Sequence, residues 1–335
     1  MTLTATALDQ LVEETADRLA AGRPGRVAVG AVLGDETALH GAAPDTLFEV
    51  GSVSKTFTAL ALARLVVRAS LTWETPLAEL LPAGARVPER GGRVITLGHL
   101  ALHTSGLPAL PTGLLPRGPA GRRDPYAGCT ADALLAELAG TRPRSTPGAR
   151  FRYSSFGTGL LGLALARHTG QSYDQLIQRE ICAPLGLRDT RVELTAEQAA
   201  RLAPGHSRAG RPRPGWRLAD LAGAGGLHSS PADLLKLLLA ELGDVSGELA
   251  KAVAFTQETS RRVYRAHTIH PGWYGTHLPP SVGRHAMLFH NGRTGGYHTL
   301  LALAPGRQAA VVVLSANARS VDRRGMELLG RLVGG

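Results

Sequence analysis

The chain has 335 residues, 44% of them hydrophobic and 19% charged, enough for one large unit or two intimate subdomains and too apolar for end-to-end disorder. Its net charge of +10 comes from scattered arginines with no basic helical stripe, and aromatic residues make up only 4%, so the charge reads as a solvated surface rather than a nucleic-acid face, with an anionic substrate or partner left open. Cys129 and Cys182 are the only cysteines, which excludes a zinc-type spacing and makes a disulfide framework unexpected.

The amino-terminal stretch has no basic segment followed by an apolar run. Leu8, Leu11, Val12, Thr15 and Leu19 form a helical stripe there instead. Neither a secretory leader nor a membrane span is expected, and the cytoplasm is the expected location. Residues 26–33 read as a strand, and 36–42 as its hairpin partner across a Gly34-Asp35 turn. A short apolar strand then leads to Gly51 and a helix that includes ALALARLVV. Residues 72–81 and 95–102 read as short helical pieces, the second closed by a turn over 103–108. Residues 109–128, rich in Pro, Gly and Arg, read as a long loop. Helices are predicted over 130–139, 157–167 and 173–182, followed by another Pro/Gly/Arg loop over 204–217. Ser230-Pro231-Ala232-Asp233 is a helix start, with Ser230 as N-cap and Pro231 at the first helical position. Residues 287–289, 296–303 and 309–315 read as three antiparallel strands joined by short turns, and 326–333 as a closing helix. The order predicts an α/β chain, 1–335, with one sheet built by its two ends (about 1–70 and 252–335). A mostly helical subdomain is inserted between them (about 71–251).

The chemistry concentrates at Ser52-Val53-Ser54-Lys55, where the strand breaks and the long helix begins. Residues three apart share a helix face, so the Ser52 hydroxyl and the Lys55 amine can meet. A serine hydroxyl is a weak nucleophile until a base takes its proton. A lysine serves as that base only where burial or neighbouring cations lower its pKa. The helix start also turns backbone N–H groups towards the serine, where an oxyanion would develop. The tetrapeptide alone is equally an N-cap serine with a surface lysine. Two features favour chemistry. The helix after Lys55 is apolar nearly all round, and Lys55, Lys236 and Lys251 are the only lysines in a chain that otherwise uses arginine, which cannot be deprotonated.

Two further stretches complete a constellation: Tyr153-Ser154-Ser155 in the helical part and His290-Asn291-Gly292 entering a late strand. Together with ITLGHLALHTSGLP, PGARFRYSSFGTGLLG, ICAPLGLRDT, AGGLHSSPADLLKLL and HNGRTGGY, in that order, the chain resembles the serine β-lactamase and penicillin-binding-protein superfamily. The branch it resembles is that of the class C β-lactamases and D-alanyl-D-alanine carboxypeptidases, and the likeness covers nearly the whole chain. The resemblance implies a β-lactamase/transpeptidase-like fold, an antiparallel sheet flanked by helices with an inserted helical subdomain. It implies Ser52 as the acylated nucleophile, with Lys55 and Tyr153 sharing the general-base work. His290-Asn291-Gly292 takes the place of the Lys-Thr-Gly box, with His290 catalytic and Asn291 and Gly292 against the substrate. The backbone N–H groups of Ser52 and Arg293 form the oxyanion hole, and no metal or cofactor is implied.

Two positions depart from the branch. Ser155 stands where an asparagine usually binds the substrate amide, and Arg293 stands where glycine is common. A shorter hydroxyl at 155 argues against penicillins and peptidoglycan stems, and a guanidinium at 293 suits a substrate carboxylate or narrows the cleft. On residues alone, Tyr153 also reads as a core tyrosine, His290 as an ordinary strand histidine and Arg293 as a surface charge. His103 reads as a turn residue, and Ser54 as hydrogen-bonding support. The expected function is a serine hydrolase or transacylase working on an ester or amide of a small metabolite, with water, an alcohol or an amine as acceptor, and with no nucleic-acid or membrane partner. The alternatives are a β-lactamase or D-alanyl-D-alanine carboxypeptidase, and a non-catalytic sensor that keeps the fold.

Overall fold

The structure is a computed structural model and describes residues 4–116, 124–264 and 266–334. Its strands are β1 (Val27–Leu33), β2 (Glu36–Gly41), β3 (Phe48–Glu49), β4 (His228–Ser229), β5 (Arg261–Tyr264), β6 (His267–His270), β7 (Trp273–His277), β8 (Ala286–Arg293), β9 (His298–Ala304) and β10 (Ala309–Ser315). Its helices are α1 (Ala5–Ala20), α2 (Ser54–Val67), α3 (Leu77–Leu80), α4 (Leu97–Ala101), α5 (Ala131–Gly140), α6 (Ser155–Thr169), α7 (Tyr173–Ile177), α8 (Ala183–Leu185), α9 (Ala196–Ala200), α10 (Pro231–Glu241), α11 (Gly247–Glu258) and α12 (Asp322–Gly334).

Eight strands form one antiparallel sheet in the order β2-β1-β10-β9-β8-β7-β6-β5, while β3 and β4 make a separate pair. The two ends of the chain meet where β1 pairs with β10, Val29 opposite Val313. The central strands are apolar without a break because both faces are covered. On β10, Ala310, Val312 and Leu314 join one core and Ala309, Val311 and Val313 the other. The second core is closed by α1 and α12, and the first runs through α2 into the helical part.

Helix α2 explains its own composition. Every residue from Ser54 to Leu65 is buried, so it is apolar on all sides, and its two charged members, Lys55 and Arg64, each have a partner. Arg64 and Arg68 meet the fully buried carboxylate of Glu180, which anchors the far end of the helix.

Several predicted elements need correction. Only Leu77–Leu80 of the expected 72–81 piece is helical. The stretch 173–182 is not one α-helix: α7 passes into a π turn, Gln178–Cys182, before α8. The sheet carries β5, β6 and β7 besides the three strands foreseen near the carboxyl end, and α11 went unread. Part of the loop expected over 109–128 lies outside the described residues.

Candidate active site

Ser52 is the middle residue of a 3-10 turn, Gly51–Val53, that runs into α2. The turn needs Gly51, whose φ is +52° and where a Cβ would stand 2.8 Å from the Arg293 backbone nitrogen. Gly292 meets the same constraint from the strand side. A Cβ there would collide with the Val50 carbonyl oxygen and lie 3.1 Å from the Ser52 nitrogen. Two glycines thus let the turn and the end of β8 pack backbone against backbone. The amides of Ser52 and Arg293 come to neighbouring positions, as an oxyanion hole requires.

Lys55 lies in the first turn of α2 and is 1% exposed. Its Nζ donates to Ser52 Oγ at 3.0 Å and to the Ala224 carbonyl oxygen at 2.5 Å. It also sits 5.0 Å from the centroid of the Tyr153 ring. No carboxylate among the described residues pairs with it; its neighbours are a hydroxyl, a carbonyl and an aromatic face.

Tyr153 immediately precedes α6, and the local sequence fixes it there. Ser154 caps the helix by accepting the Gly157 N–H at 2.9 Å, and its hydroxyl donates to the Pro108 carbonyl at 2.6 Å. His103 holds the strand of chain from the other side. Its Nδ1 accepts the Ser154 N–H at 3.1 Å, and its ring packs 4.6 Å from that of Tyr153. His103 is buried with a φ of +54°, and burial holds its imidazole well below the usual range, helped by the Lys55 charge. Its geometry is that of the turn residue expected from the sequence.

His290 is 2% exposed on β8 with its ring 6.4 Å from that of Tyr153. Burial and then the Lys55 charge push its pKa down to about 3, so the ring is neutral at physiological pH. Its Nδ1 lies 2.7 Å from the Asn291 carbonyl oxygen. A carbonyl only accepts, so Nδ1 carries the proton and Nε2 is left as an acceptor.

Successive strand residues face opposite ways, and this corrects the expectation for Asn291. Its Nδ2 donates to Asp322 Oδ2 at 3.0 Å, at the start of α12, on the face away from Lys55 and Tyr153. Its side chain therefore ties β8 to α12 and does not meet a substrate. Ser155 and Arg293 do reach the cleft beside Ser52. That cleft has room for about 50 Å³ and is otherwise lined chiefly by Leu110, Tyr126, Trp216, Leu218 and Leu221. The exposed Arg293 guanidinium has no hydrogen bond or ion pair among the described residues. A groove of about 970 Å³ between α12 and β7–β8 contains none of these residues.

Sequence reading missed Trp216, Tyr126 and Glu49. Glu49 is buried on β3 and accepts the Trp216 N–H at 2.9 Å, holding that ring at the cleft. Burial raises its carboxyl to about 7, against the opposing pull of Thr294 and the Trp216 N–H. An acid inside the apolar FEVG run was the visible signal; nothing local marks Trp216, which arrives from a loop 167 residues away.

The beta-lactamase family model matches residues 8–334. The chain belongs to the beta-lactamase family. This makes it, by class, a beta-lactamase-like serine hydrolase. Among curated relatives in the family it is 27% identical over 282 residues to the D-alanyl-D-alanine-carboxypeptidase/endopeptidase AmpH of Escherichia coli K12, covering 81% of this chain and 71% of that one. It is also 27% identical over 305 residues to a beta-lactamase of Pseudomonas fluorescens, covering 81% and 79%. A beta-lactamase/D-alanine carboxypeptidase from Yersinia pestis, solved with citrate, superposes with a TM-score of 0.84 at 25% identity over 99% of both chains. A class C beta-lactamase superposes with a TM-score of 0.82 at 21% identity over 99% of this chain and 98% of that one, which establishes the beta-lactamase fold.

Proposed function

We propose that this serine hydrolase acts on esters or amides of a small acyl group, through an acyl-enzyme on Ser52. Ser52 Oγ adds to the acyl carbon while its proton passes to the Lys55 amine and is relayed through the Tyr153 hydroxyl towards the leaving atom. The carbonyl electron pair moves onto oxygen between the N–H groups of Ser52 and Arg293. Collapse breaks the bond to the leaving oxygen or nitrogen, which takes that proton. Water then adds to the ester, giving a proton to the Lys55–Tyr153 pair, and that proton passes to Ser52 Oγ as the acid departs. An alcohol or amine in place of water gives transfer. With its Nδ1–H engaged, His290 offers Nε2 as an acceptor, suited to the Tyr153 hydroxyl or a leaving-group proton and not to an anion.

The observation that carries the reading is the cleft beside Ser52. Its volume of about 50 Å³ is lined by polar groups, Ser155, Arg293 and Thr294 among them, alongside Leu110, Trp216, Leu218 and Leu221. At roughly 10–15 Å³ per water-sized group, that is room for some three to five such groups. An acetyl or similar acyl chain fits within it, whereas the acylamido side chain of a penicillin would have to extend out of its mouth. A D-alanyl-D-alanine carboxypeptidase is the second reading, supported by the names of the relatives and by an Arg293 free to meet a terminal carboxylate. Encounter with the substrate in the cytoplasm belongs to the first reading, and fractionation of expressing cells tests it.

Three substrates separate these readings: p-nitrophenyl acetate, a cephalosporin and a D-alanyl-D-alanine peptide, each followed by turnover and by intact-protein mass. The expected result is fast ester turnover with one acyl mass on Ser52 that vanishes in Ser52→Ala. A larger kcat/KM on the cephalosporin or the peptide would transfer the assignment to the second reading's class.

A further inference from the structure

Aromatic residues are only 4% of this chain, yet four of them make an unbroken row that starts at Tyr153. Its ring stacks with Tyr274 at 6.2 Å and 20°. Tyr274 meets Phe151 edge-on at 6.3 Å, and Phe151 meets Tyr264 edge-on at 6.2 Å. Tyr153, Tyr274 and Phe151 are each half-buried, and Tyr264 is 64% exposed, so each of the four residues keeps some surface open to solvent. Scattered exposed apolar groups are ordinary, but a contiguous strip rooted at a reacting centre is not.

The strip is also held in place. Arg261 on β5 reaches the Gly148 and Ala149 carbonyls, the latter at 2.7 Å, and so pins the segment carrying Phe151 and Tyr153 against the strand carrying Tyr264. The Arg152 N–H donates to the His103 carbonyl at 2.8 Å. Tyr274 is backed by Phe289, stacked at 5.4 Å and 23°. Rings fixed in this way lose little further freedom when a flat group settles on them.

Direction follows from the chemistry, and here the inference rests on the acyl-enzyme reading above. The leaving atom takes its proton at the Lys55–Tyr153 pair, so the departing group lies beside Tyr153. The acyl group occupies the Ser155, Trp216 and Arg293 side. The first surface beyond Tyr153 is the aromatic row. We propose that Tyr153, Tyr274, Phe151 and Tyr264 form the leaving-group subsite. The substrate is then a small acyl group carried on an alcohol or amine that bears an aromatic or comparably flat apolar moiety.

Tyr264 is the residue to change, since it is exposed and far along the row from Ser52. For 2-naphthyl and ethyl esters of acetic acid, Tyr264→Ala should lower the ratio of the two kcat/KM values about two- to tenfold, the scale of an aromatic pair. The loss should fall on KM, and Tyr264→Phe should restore it. An unchanged ratio overturns the subsite. A second measurement does not depend on turnover: 2-naphthol titrated into Ser52→Ala protein should bind, and bind two- to tenfold more weakly when Tyr264→Ala is added. No binding, or binding indifferent to Tyr264, overturns the proposal even if esters are hydrolysed. Binding that depends on Tyr264 in a protein that hydrolyses no ester would keep the row as an aromatic-ligand site and remove the reaction class instead.

Discussion

Lys55 is the buried member of a set of three lysines, and its contacts give it no charge to neutralise. In the proposed mechanism its value to the site is a proton that can be taken and returned. Lys55→Arg keeps the charge and removes that capacity, so single-turnover acylation should fall by ~10²-fold or more, the scale of general-base help. Acylation near the wild-type rate would leave Lys55 a packing role only. Tyr153→Phe keeps the ring stack with Tyr274 and removes the hydroxyl, so deacylation should slow while the melting temperature stays put. Arg293 makes a separable prediction. Its backbone N–H survives truncation, while its guanidinium is a fork suited to a carboxylate. Arg293→Ala should cost about 1.5–3 kcal/mol of binding for an anionic ester, roughly ten- to a hundredfold in affinity. Neutral esters should scarcely change. Equal losses on matched anionic and neutral esters would mean that the side chain shapes the cleft and reads no charge.

Strand β8 shows how one element divides its work. His290 turns into the site, Asn291 turns back to Asp322, and Gly292 gives up a side chain so that the Ser52 turn can lie against it. Gly292→Ala should therefore push the strand off the turn and lower kcat steeply, whereas Asn291→Ala should cost about 1 kcal/mol of stability and spare turnover. Denaturant midpoints and kcat for the two variants test the division, and a catalytic loss in Asn291→Ala would restore it to the substrate. The strand period also explains what sequence reading achieved. The meeting of Ser52 and Lys55 was legible because helix spacing is local, and β10 because an apolar run covered on both faces is continuous, whereas Tyr153 was placed beside them only through the resemblance to a known family. Asn291 was misread because a motif gives order along the chain and not the face of the strand. Strands β5, β6 and β7 were unread because they are four or five residues long and dense in Arg, His and Tyr. The α11 stripe of Leu249, Ala252, Val253 and Thr256 has the right spacing, but two small residues and a threonine make it faint. Trp216 and the aromatic row needed tertiary structure, since they gather residues from separate loops and strands.

The whole molecule carries buried titratable groups that pull stability in opposite directions with pH. His290, held at about 3, binds protons more readily unfolded, so its contribution is present above the unfolded value near 6.5 and is lost as pH falls towards 3. His103 acts in the same sense. Glu241 acts in the opposite sense. Burial raises its carboxyl to about 7, so its folded form holds a proton that the unfolded chain releases near 4.5. Its contribution is full below pH 4.5 and is lost as pH rises through 7. The site feels this through packing, because Glu241 ends α10 and accepts from Gln257 Nε2 of α11 at 2.8 Å, and α11 packs on α2 behind Ser52. Glu241→Gln keeps an acceptor for Gln257 and removes the titration. The histidines are common to both proteins, so their effect cancels in the difference. The variant and the wild type should be about equally stable at pH 4.5. The variant should gain through pH 7 by on the order of 3 kcal/mol, the free-energy equivalent of the raised pKa. Urea unfolding of both proteins between pH 4.5 and 8.5 measures the difference directly. A difference that stays flat across that range would mean that the Glu241 carboxyl does not titrate there, and that any loss of stability on the alkaline side has another source.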